Sequence, residues 1–352
     1  MCFFSGMSAV IARAPTRIDF GGGWTDVPPY CDQEGGFVCN LAIARYATVQ
    51  LRAEASSEPA LPDEADDALA RAALRVAGLP GVRARIDSDF PVKAGLGGSS
   101  AAGVAMVGAI EAYRAVREAM PGSPERRALL ASVPRDRAAV AKASRRLEVE
   151  ELRVAGGFQD HYAAAFGGAL GLSFGGETRV RRLALQRRTV RELESRCTVV
   201  YTGHSRISGD TIRAVLDGWT AREGRVVRAL AQMRELARAM ADALVAGDVD
   251  ALGVLVGEHW THQRALHPSI ATPLIDEILT RARAAGALGG KALGASGGGC
   301  VLVVAARGLE VPVRRAVEAL AQPLPFTVDE RGLAWWTDDT PPPPTSSRAE
   351  LS

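Results

Sequence analysis

Three glycine-rich loops constrain what this chain can become: FGGGWTDVPPY at 20–30, PVKAGLGGSS at 91–100 and GGKALGASGGGC at 289–300. Glycine is costly to order, and a sequence concentrates it where the backbone must turn sharply or come close to something else. Each loop is bounded by apolar segments instead of low-complexity sequence, so none reads as a linker. The middle loop is the most restrictive. Gly95, Gly97 and Gly98 run directly into the alanine-rich stretch AAGVAMVGAI (101–110), and the free N–H groups at the positive end of such a helix form an anion cradle. Ser99 and Ser100 are good N-cap residues, and a hydroxyl beside a phosphate can also hold a magnesium ion. A triphosphate suits the cradle; a capped helix after a flexible turn accounts for the same residues equally well. The loop is not a Walker A motif, because Lys93 precedes the glycines and no Lys-Ser/Thr pair follows them.

At 352 residues and 47% hydrophobic, the chain can bury a large core, and its length points to about two domains. Lys plus Arg (42) nearly balances Asp plus Glu (40), which argues against nucleic acid or an anionic membrane as partner and leaves binding to local charge. Five cysteines form no CxxC pair and leave an odd count, which suits reduced thiols and a cytoplasmic protein. The start, MCFFSGMSAV, has no basic n-region and too short an apolar stretch for a signal peptide or membrane span; Met7 is an alternative start.

The element pattern is mixed. Residues 36–53 are rich in β-branched and aromatic types and predict one or two strands, while 65–77 and 100–117 predict helices. Residues 136–152 predict a helix with Asp136 near its start and Ala139, Val140, Ala143 and Leu147 along one side. A charged connector at 178–196 leads to a strand at 198–202, four helices at 210–217, 222–246, 249–265 and 272–285, a strand at 301–306, a helix at 310–321 and a strand at 326–330. The histidines at 259, 262 and 267 lack the HExxH spacing of a zinc site and read as a partly buried helix and its exit. The Pro- and Ser-rich tail over 339–352 reads as disordered.

Taken together and in order, ARAPTRIDFGGGWTD, PVKAGLGGSSAA and GGKALGASGGGCVLV resemble the three motifs of the GHMP small-molecule kinases, the family of galactokinase, homoserine kinase, mevalonate kinase and phosphomevalonate kinase, and the resemblance spans roughly residues 10 to 330. It implies an α+β fold of two domains. The first, over 8–185, would be ribosomal-S5-domain-2-like and carry the ATP loop; the second, over 186–338, would be a ferredoxin-like α/β sandwich. The implied ligands are ATP, Mg2+ and a small-molecule sugar or sugar phosphate, and a homodimer stays open.

The resemblance also assigns residues. Lys93, Gly95, Leu96, Gly97, Gly98, Ser99, Ser100 and Ala101 would hold ATP. Phosphoryl transfer further needs a carboxylate for the metal and a group that orients or deprotonates the acceptor. Glu148 with Ser99 would bind the metal, with Ser100 as the alternative to Ser99; a solvated acidic face of Glu148, Glu150 and Glu151 is the plainer reading. Asp160, in GGFQDHYAAAFGG, would be the catalytic base, although Asp is also a common helix N-cap. Arg17 would face the reacting phosphoryl group and Asp160, or else be a surface arginine on a strand edge. Gly22, Gly23, Trp24, Thr25, Asp26, Gln159, Gly297 and Gly298 would line the acceptor, with Asp26 also readable as a turn residue.

Within the family the segments are most similar to kinases of anomeric sugar hydroxyls. RIDFGGGWTDVPPY, GGFQDHYAAAFGG, YTGHSR (201–206) and AGALGGKALGASGGG (285–299) resemble D-glycero-D-manno-heptose 7-phosphate kinases, whereas Trp24 resembles the L-fucose kinase form of the first motif. A 7-phosphate would require cations, for which Arg206, with His204, and Lys291 are the candidates. The sequence departs from the heptose pattern at Gly98, where Ser is usual, His161, where Gln is usual, and Ser296, where Gly is usual. A ligand-binding regulator that keeps the fold without catalysis is the alternative of another class, against which the presence of Asp160, Glu148 and Arg17 together argues.

Overall fold

The computed structural model describes residues 9–54, 68–118, 136–154, 156–203, 209–338, 340 and 342–344. Its first sheet is antiparallel and built on β2 (Gly36–Ala53), an 18-residue strand. One edge of β2 pairs along its length with β1 (Val10–Gly21), and the other carries β4 (Ala169–Phe174) over 36–41 and β3 (Val82–Ser88) over 47–53. The partial alternation read as one or two strands is thus one strand serving two neighbours. β5 (Arg179–Leu183) extends the sheet beyond β4.

The period-2 pattern of the sheet separates two cores. Val38 shares a core with Cys31 of the short α1 (Tyr30–Glu34) and faces α2 (Ala68–Ala77), α3 (Gly98–Glu118), α4 (Arg137–Arg146) and α5 (Gln159–Phe166), whereas Phe37, Cys39, Leu41 and Ile43 face the second unit. In β1, Val10, Ala12 and Ala14 belong to the first core but Ile18 and Phe20 to the second. The switch falls at the register shift between Pro15 and Thr16, where the pairing jumps from Tyr46 to Ile43 and leaves Ala44 and Arg45 of β2 without a partner in β1, so both strands change face at this irregularity. Arg17 consequently points to the helical side of the sheet. Without the shift it would face the second unit.

The second unit holds an antiparallel sheet in the order β7 (Ala287–Ala292), β8 (Cys300–Ala305), β6 (Cys197–Tyr201), β9 (Gln322–Pro323). Its helices are α6 (Arg187–Arg196), α7 (Gly209–Thr220), α8 (Gly224–Ala246), α9 (Val249–Leu266), α10 (Pro273–Ala284) and α11 (Glu310–Glu318). Leu236, Ala237, Met240 and Leu244 of α8 pack between the two sheets, so the units share one continuous apolar core. No helix among the described residues is long and apolar enough to cross a membrane.

Four expectations are revised. The charged connector contains β5 and the helix α6, whose Leu193 is fully buried. The helix expected over 136–152 is α-helical to Arg146 and then widens into a π turn, Leu147–Glu151; Asp136 caps its start by accepting from the amides of Ala138 and Ala139. The strand expected at 326–330 is reduced to one bridge, Ile43 to Val328, because this segment crosses back to the first sheet. There β10 (Ala334–Thr337) pairs with the start of β1, so residues counted with the second domain complete the first sheet. Much of the expected disordered tail lies outside the described residues, but Pro343 accepts a 2.6 Å hydrogen bond from Arg13.

Candidate active site

Two of the three glycine loops meet backbone to backbone. Gly95 (φ +77°) and Gly97 (φ +74°) adopt left-handed conformations that admit the turn into α3, whose first bond runs from the Ala101 amide to the Gly97 carbonyl at 2.9 Å. A Cβ on Gly95 would stand 2.6 Å from the Leu293 carbonyl oxygen, and one on Gly299 would stand 2.8 Å from that of Ala94. The Cys300 amide donates to Ala94 O at 2.7 Å, sealing the contact. Gln263 of α9 holds the third loop from behind, donating to the carbonyls of Ala292 and Gly294 and to Ser296 Oγ at 3.1–3.3 Å. That bond explains how a serine sits at 296, where φ is +75°. Gly297 and Gly298 are also left-handed, and the Gly297 amide donates to Ile270 O. At Gly98 a Cβ would lie 2.4 Å from the Phe90 ring, so the aromatic fills the space a serine would need. Leu96 contributes backbone only: its side chain is buried and its carbonyl accepts from the Arg17 amide at 3.0 Å. Lys93 sits at the exposed start of the loop with φ +56°.

Arg17 joins this loop to Asp160. Its Nε and Nη2 lie 2.8 and 2.6 Å from Asp160 Oδ1, and Nη1 donates to Gly95 O at 2.7 Å. The arginine side chain is 4% exposed, which removes the surface-arginine reading, while the aspartate is 25% exposed. Asp160 does not cap its helix. Asp26 does so from another loop, its Oδ2 accepting from the amides of Phe158 (2.8 Å) and Gln159 (2.9 Å). Asp160 is thereby left to face the cradle, and a Cβ on Gly97 would be 3.0 Å from its carboxyl group.

Glu148 sits on the π turn, and the acidic run divides there: its side chain is 12% exposed, against 58% for Glu150. Ser99 Oγ donates to Oε1 at 2.7 Å, Ser100 Oγ to Oε2 at 3.3 Å, and His161 Nε2 lies 2.9 Å from Oε2. Burial pushes this carboxyl up, but the hydrogen bond and charge of His161, then the two serine bonds, outweigh it and hold the group below the ordinary glutamate range. Both candidate serines reach the carboxylate; Ser99 is exposed and Ser100 buried.

Around the first loop, several expected contacts prove internal. Thr25 is fully buried, its one hydroxyl hydrogen having Gly22 O (2.7 Å) and Phe37 O (3.1 Å) within reach while the oxygen accepts from the Phe37 amide (3.2 Å), so it fastens the loop. Trp24 is held at φ +80° and buries its ring among Tyr30, Trp219 and Trp260; its Nε1 has no partner. Lys291 is not an accessible anchor. It is 0% exposed, and its ammonium donates to Asp19 Oδ2 (3.1 Å) and Asp19 O (3.0 Å) across the two units. Gly23 lies against Asp19 and Gln159, and the Gly22 amide donates to His259 Nε2 at 2.9 Å. His259 is fully buried and its imidazole held well below the usual range, first by burial and then by the Lys291 charge. Asp26 is also buried, which raises its carboxyl to about 6 against the opposing amide of Gln159. Gly156 and Gly157 thread between the two acids: a Cβ on Gly157 would strike Asp26 at 2.1 Å, and one on Gly156 would touch Glu148 at 3.7 Å. Arg206 and His204 lie outside the described residues.

Sequence reasoning missed Asp19, Gln263 and Arg145. Only the spacing of Asp19 two residues beyond Arg17 on one strand hinted at the first. Arg145 places its guanidinium 3.7 Å from the ring centroid of Phe158, the residue whose amide Asp26 binds, and its Nε is buried without a partner. As a metal site, one carboxylate with two hydroxyls offers the hard oxygen donors that Mg2+ takes, and no group of three or more His, Cys, Asp or Glu side chains among the described residues could hold an ion alone. Such a set suits an ion that arrives with phosphates and keeps its waters.

This constellation on this fold is that of a small-molecule kinase. The profile of the GHMP kinases N terminal domain matches residues 67–168 and that of the GHMP kinases C terminal matches residues 240–323, together more than half of the chain. The chain belongs to the GHMP kinase family and is a phosphotransferase; ATP is the family's phosphate donor. It is 27% identical over 319 residues to the D-glycero-alpha-D-manno-heptose 7-phosphate kinase of Campylobacter jejuni, covering 83% of this chain and 88% of that protein. It is 26% identical to the bifunctional fucokinase/GDP-fucose pyrophosphorylase of Arabidopsis thaliana over 83% of this chain, but spans only 29% of that protein's length. Among solved structures, a D-glycero-D-manno-heptose 1-phosphate kinase from Bacteroides thetaiotaomicron superposes with a TM-score of 0.69 at 25% identity, over 93% of this chain and 98% of that one.

Proposed function

We propose that the chain transfers the γ-phosphate of ATP to the anomeric hydroxyl of a sugar, with D-glycero-D-manno-heptose 7-phosphate or a related heptose phosphate as acceptor. The observation that carries this reading is the Arg17–Asp160 pair facing the Gly95–Gly97 turn, with Glu148 bound to the serines of the same loop. The amides at the start of α3 bind the phosphates. Asp160 accepts the proton of the attacking hydroxyl, the new O–P bond forms as the bond to ADP breaks, and Arg17 offsets charge on the transferred group. Asp26, whose Oδ2 is committed to the start of α5, keeps Oδ1 for a sugar hydroxyl. Glu148 and Ser99 would hold Mg2+, which supplies charge neutralisation on the phosphates. With Lys291 committed to Asp19, Arg145 and Arg206 are the cations this reading offers to a 7-phosphate.

The relatives named for heptose phosphate and for fucose make the acceptor the point to test. A phosphate-transfer screen across free hexoses, heptoses and their terminal phosphates, with NMR to locate the new phosphate, is expected to favour a heptose 7-phosphate and to place the phosphate on O1. Better turnover of free L-fucose would move the assignment to the fucokinase side, and sugar binding without transfer to any acceptor would favour a regulator. Losing one charge-assisted partner costs about 1.5–3 kcal/mol, so Arg145→Ala or Arg206→Ala should raise the KM for a 7-phosphate roughly ten- to a hundredfold and spare ATP.

A further inference from the structure

We propose that His161, oriented by Ser144, is a positioning residue that fixes the Glu148 carboxylate for the metal that accompanies the nucleotide. The inference rests on the reading of Glu148 as the metal carboxylate. His161 is 1% exposed and uses both ring nitrogens: Nδ1 lies 2.9 Å from Ser144 Oγ and Nε2 lies 2.9 Å from Glu148 Oε2. The two nitrogens are chemically distinct, and the partner of one sets the hydrogen on the other. Ser144 Oγ has one hydrogen and two acceptors within reach, His161 Nδ1 at 2.9 Å and Ser100 O at 3.5 Å. The Glu148 carboxylate can only accept, so Nε2 carries a hydrogen and donates to it, while Ser144 holds the ring at Nδ1.

The surrounding packing allows little else. Ser144 reaches this position because Gly103 of α3 has no side chain; a Cβ there would stand 2.4 Å from Ser144 Oγ. Glu148 itself sits on a π turn, where the backbone bonding is irregular, and its side chain has three rotatable bonds. Without His161, Oε2 would keep only the 3.3 Å bond from Ser100. Mg2+ demands near-octahedral geometry and tolerates misplaced ligands poorly. His161 also adjoins Asp160 in the first turn of α5, so one helical turn aims the proposed base at the cradle and the metal carboxylate at the serines. The resembling kinases usually carry Gln at this position, and a glutamine amide can donate the same bond to Oε2.

The test is calorimetry with a non-hydrolysable ATP analogue, with and without Mg2+, on the parent and on His161→Ala, His161→Gln, Ser144→Ala and Glu148→Gln. The quantity read is the tightening of nucleotide binding produced by Mg2+. His161→Ala should lose about tenfold or more of that tightening, within the range seen when outer-shell partners of metal ligands are removed. Ser144→Ala should lose a smaller share, and His161→Gln should retain it. Metal-free binding should stay within about twofold of the parent in all four, a result that a merely structural role for His161 would not give. If Glu148→Gln loses the tightening and His161→Ala does not, or if metal-free binding falls equally, the role of His161 is overturned. If Glu148→Gln itself keeps the tightening, the reading of Glu148 fails and the inference with it.

Discussion

Replacing Asp26 by Asn should remove the pH dependence that this residue imposes on folding. The carboxyl is buried under the Gly157 backbone and accepts two amides through one oxygen, and burial raises it from the ordinary 3.8 to about 6, with Asp160 and Asp19 adding repulsion. Between those values the native state holds a proton that the unfolded chain has released, so stability falls as pH rises through the window and levels off above the native value. A displacement of about two units corresponds to about 3 kcal/mol in full, of which roughly 1.4 kcal/mol falls between pH 5 and pH 8. Asparagine can accept the same two amides and does not titrate. Asp26→Asn should therefore gain on the parent by about 1–1.5 kcal/mol from pH 5 to pH 8, whatever the offset between them at pH 5. Equilibrium urea unfolding at both pH values, followed by far-UV circular dichroism and by tryptophan fluorescence with coincident transitions, reads the difference. Parallel stability curves for the two proteins would show that no ionised, desolvated carboxylate sits at position 26, and the account of this loop would fall.

Asp160→Asn should lower turnover by a factor on the order of 10² or more and leave ATP affinity nearly unchanged; turnover like the parent's would remove Asp160 from the mechanism. Glu148→Gln should shift the Mg2+ titration of activity to higher concentration, and a curve overlaying the parent's would return Glu148 to a structural role. Lys291→Met strands the Asp19 carboxylate in the interior and should cost about 3–5 kcal/mol, whereas Asp19→Leu combined with Lys291→Met should recover much of the loss. A single-variant cost under about 1 kcal/mol in urea unfolding would contradict the buried pair.

The glycine spacing and the serines at the start of α3 were readable locally, because left-handed turns and free helical amides follow from a few neighbouring residues. Glu148 and Asp160 were singled out only through the family resemblance, since an acidic run and an Asp at a helix start read locally as a solvated face and a cap. Residues whose partners are distant were read only in part. Lys291 looks like any surface lysine until the fold sets it on Asp19, 272 residues away. Asp26 was assigned to the acceptor through the resemblance, but its second task was invisible because the helix it caps begins 133 residues later. The helix through Glu148 was visible, but its π turn was not, since nothing in the 3.6-residue periodicity marks where one extra residue is accommodated. FTVDE has the composition of a strand and a real bridge at Val328, yet the chain is passing from one sheet to the other there, and composition carries no information on direction.

The pairing of β10 with the first four residues of β1 has a consequence for synthesis. A chain made from its N-terminus offers Val10, Ile11, Ala12 and Arg13 as an open strand edge until residues 334–337 leave the ribosome. The nascent first domain therefore spends most of translation with a row of unpaired amides and carbonyls beside apolar side chains, the surface that pairs wrongly with other chains. Expressing residues 8–185 alone would make that interval permanent, whereas a permuted gene that places 326–338 directly ahead of β1 would close the edge first and yield more soluble protein from the same sequence.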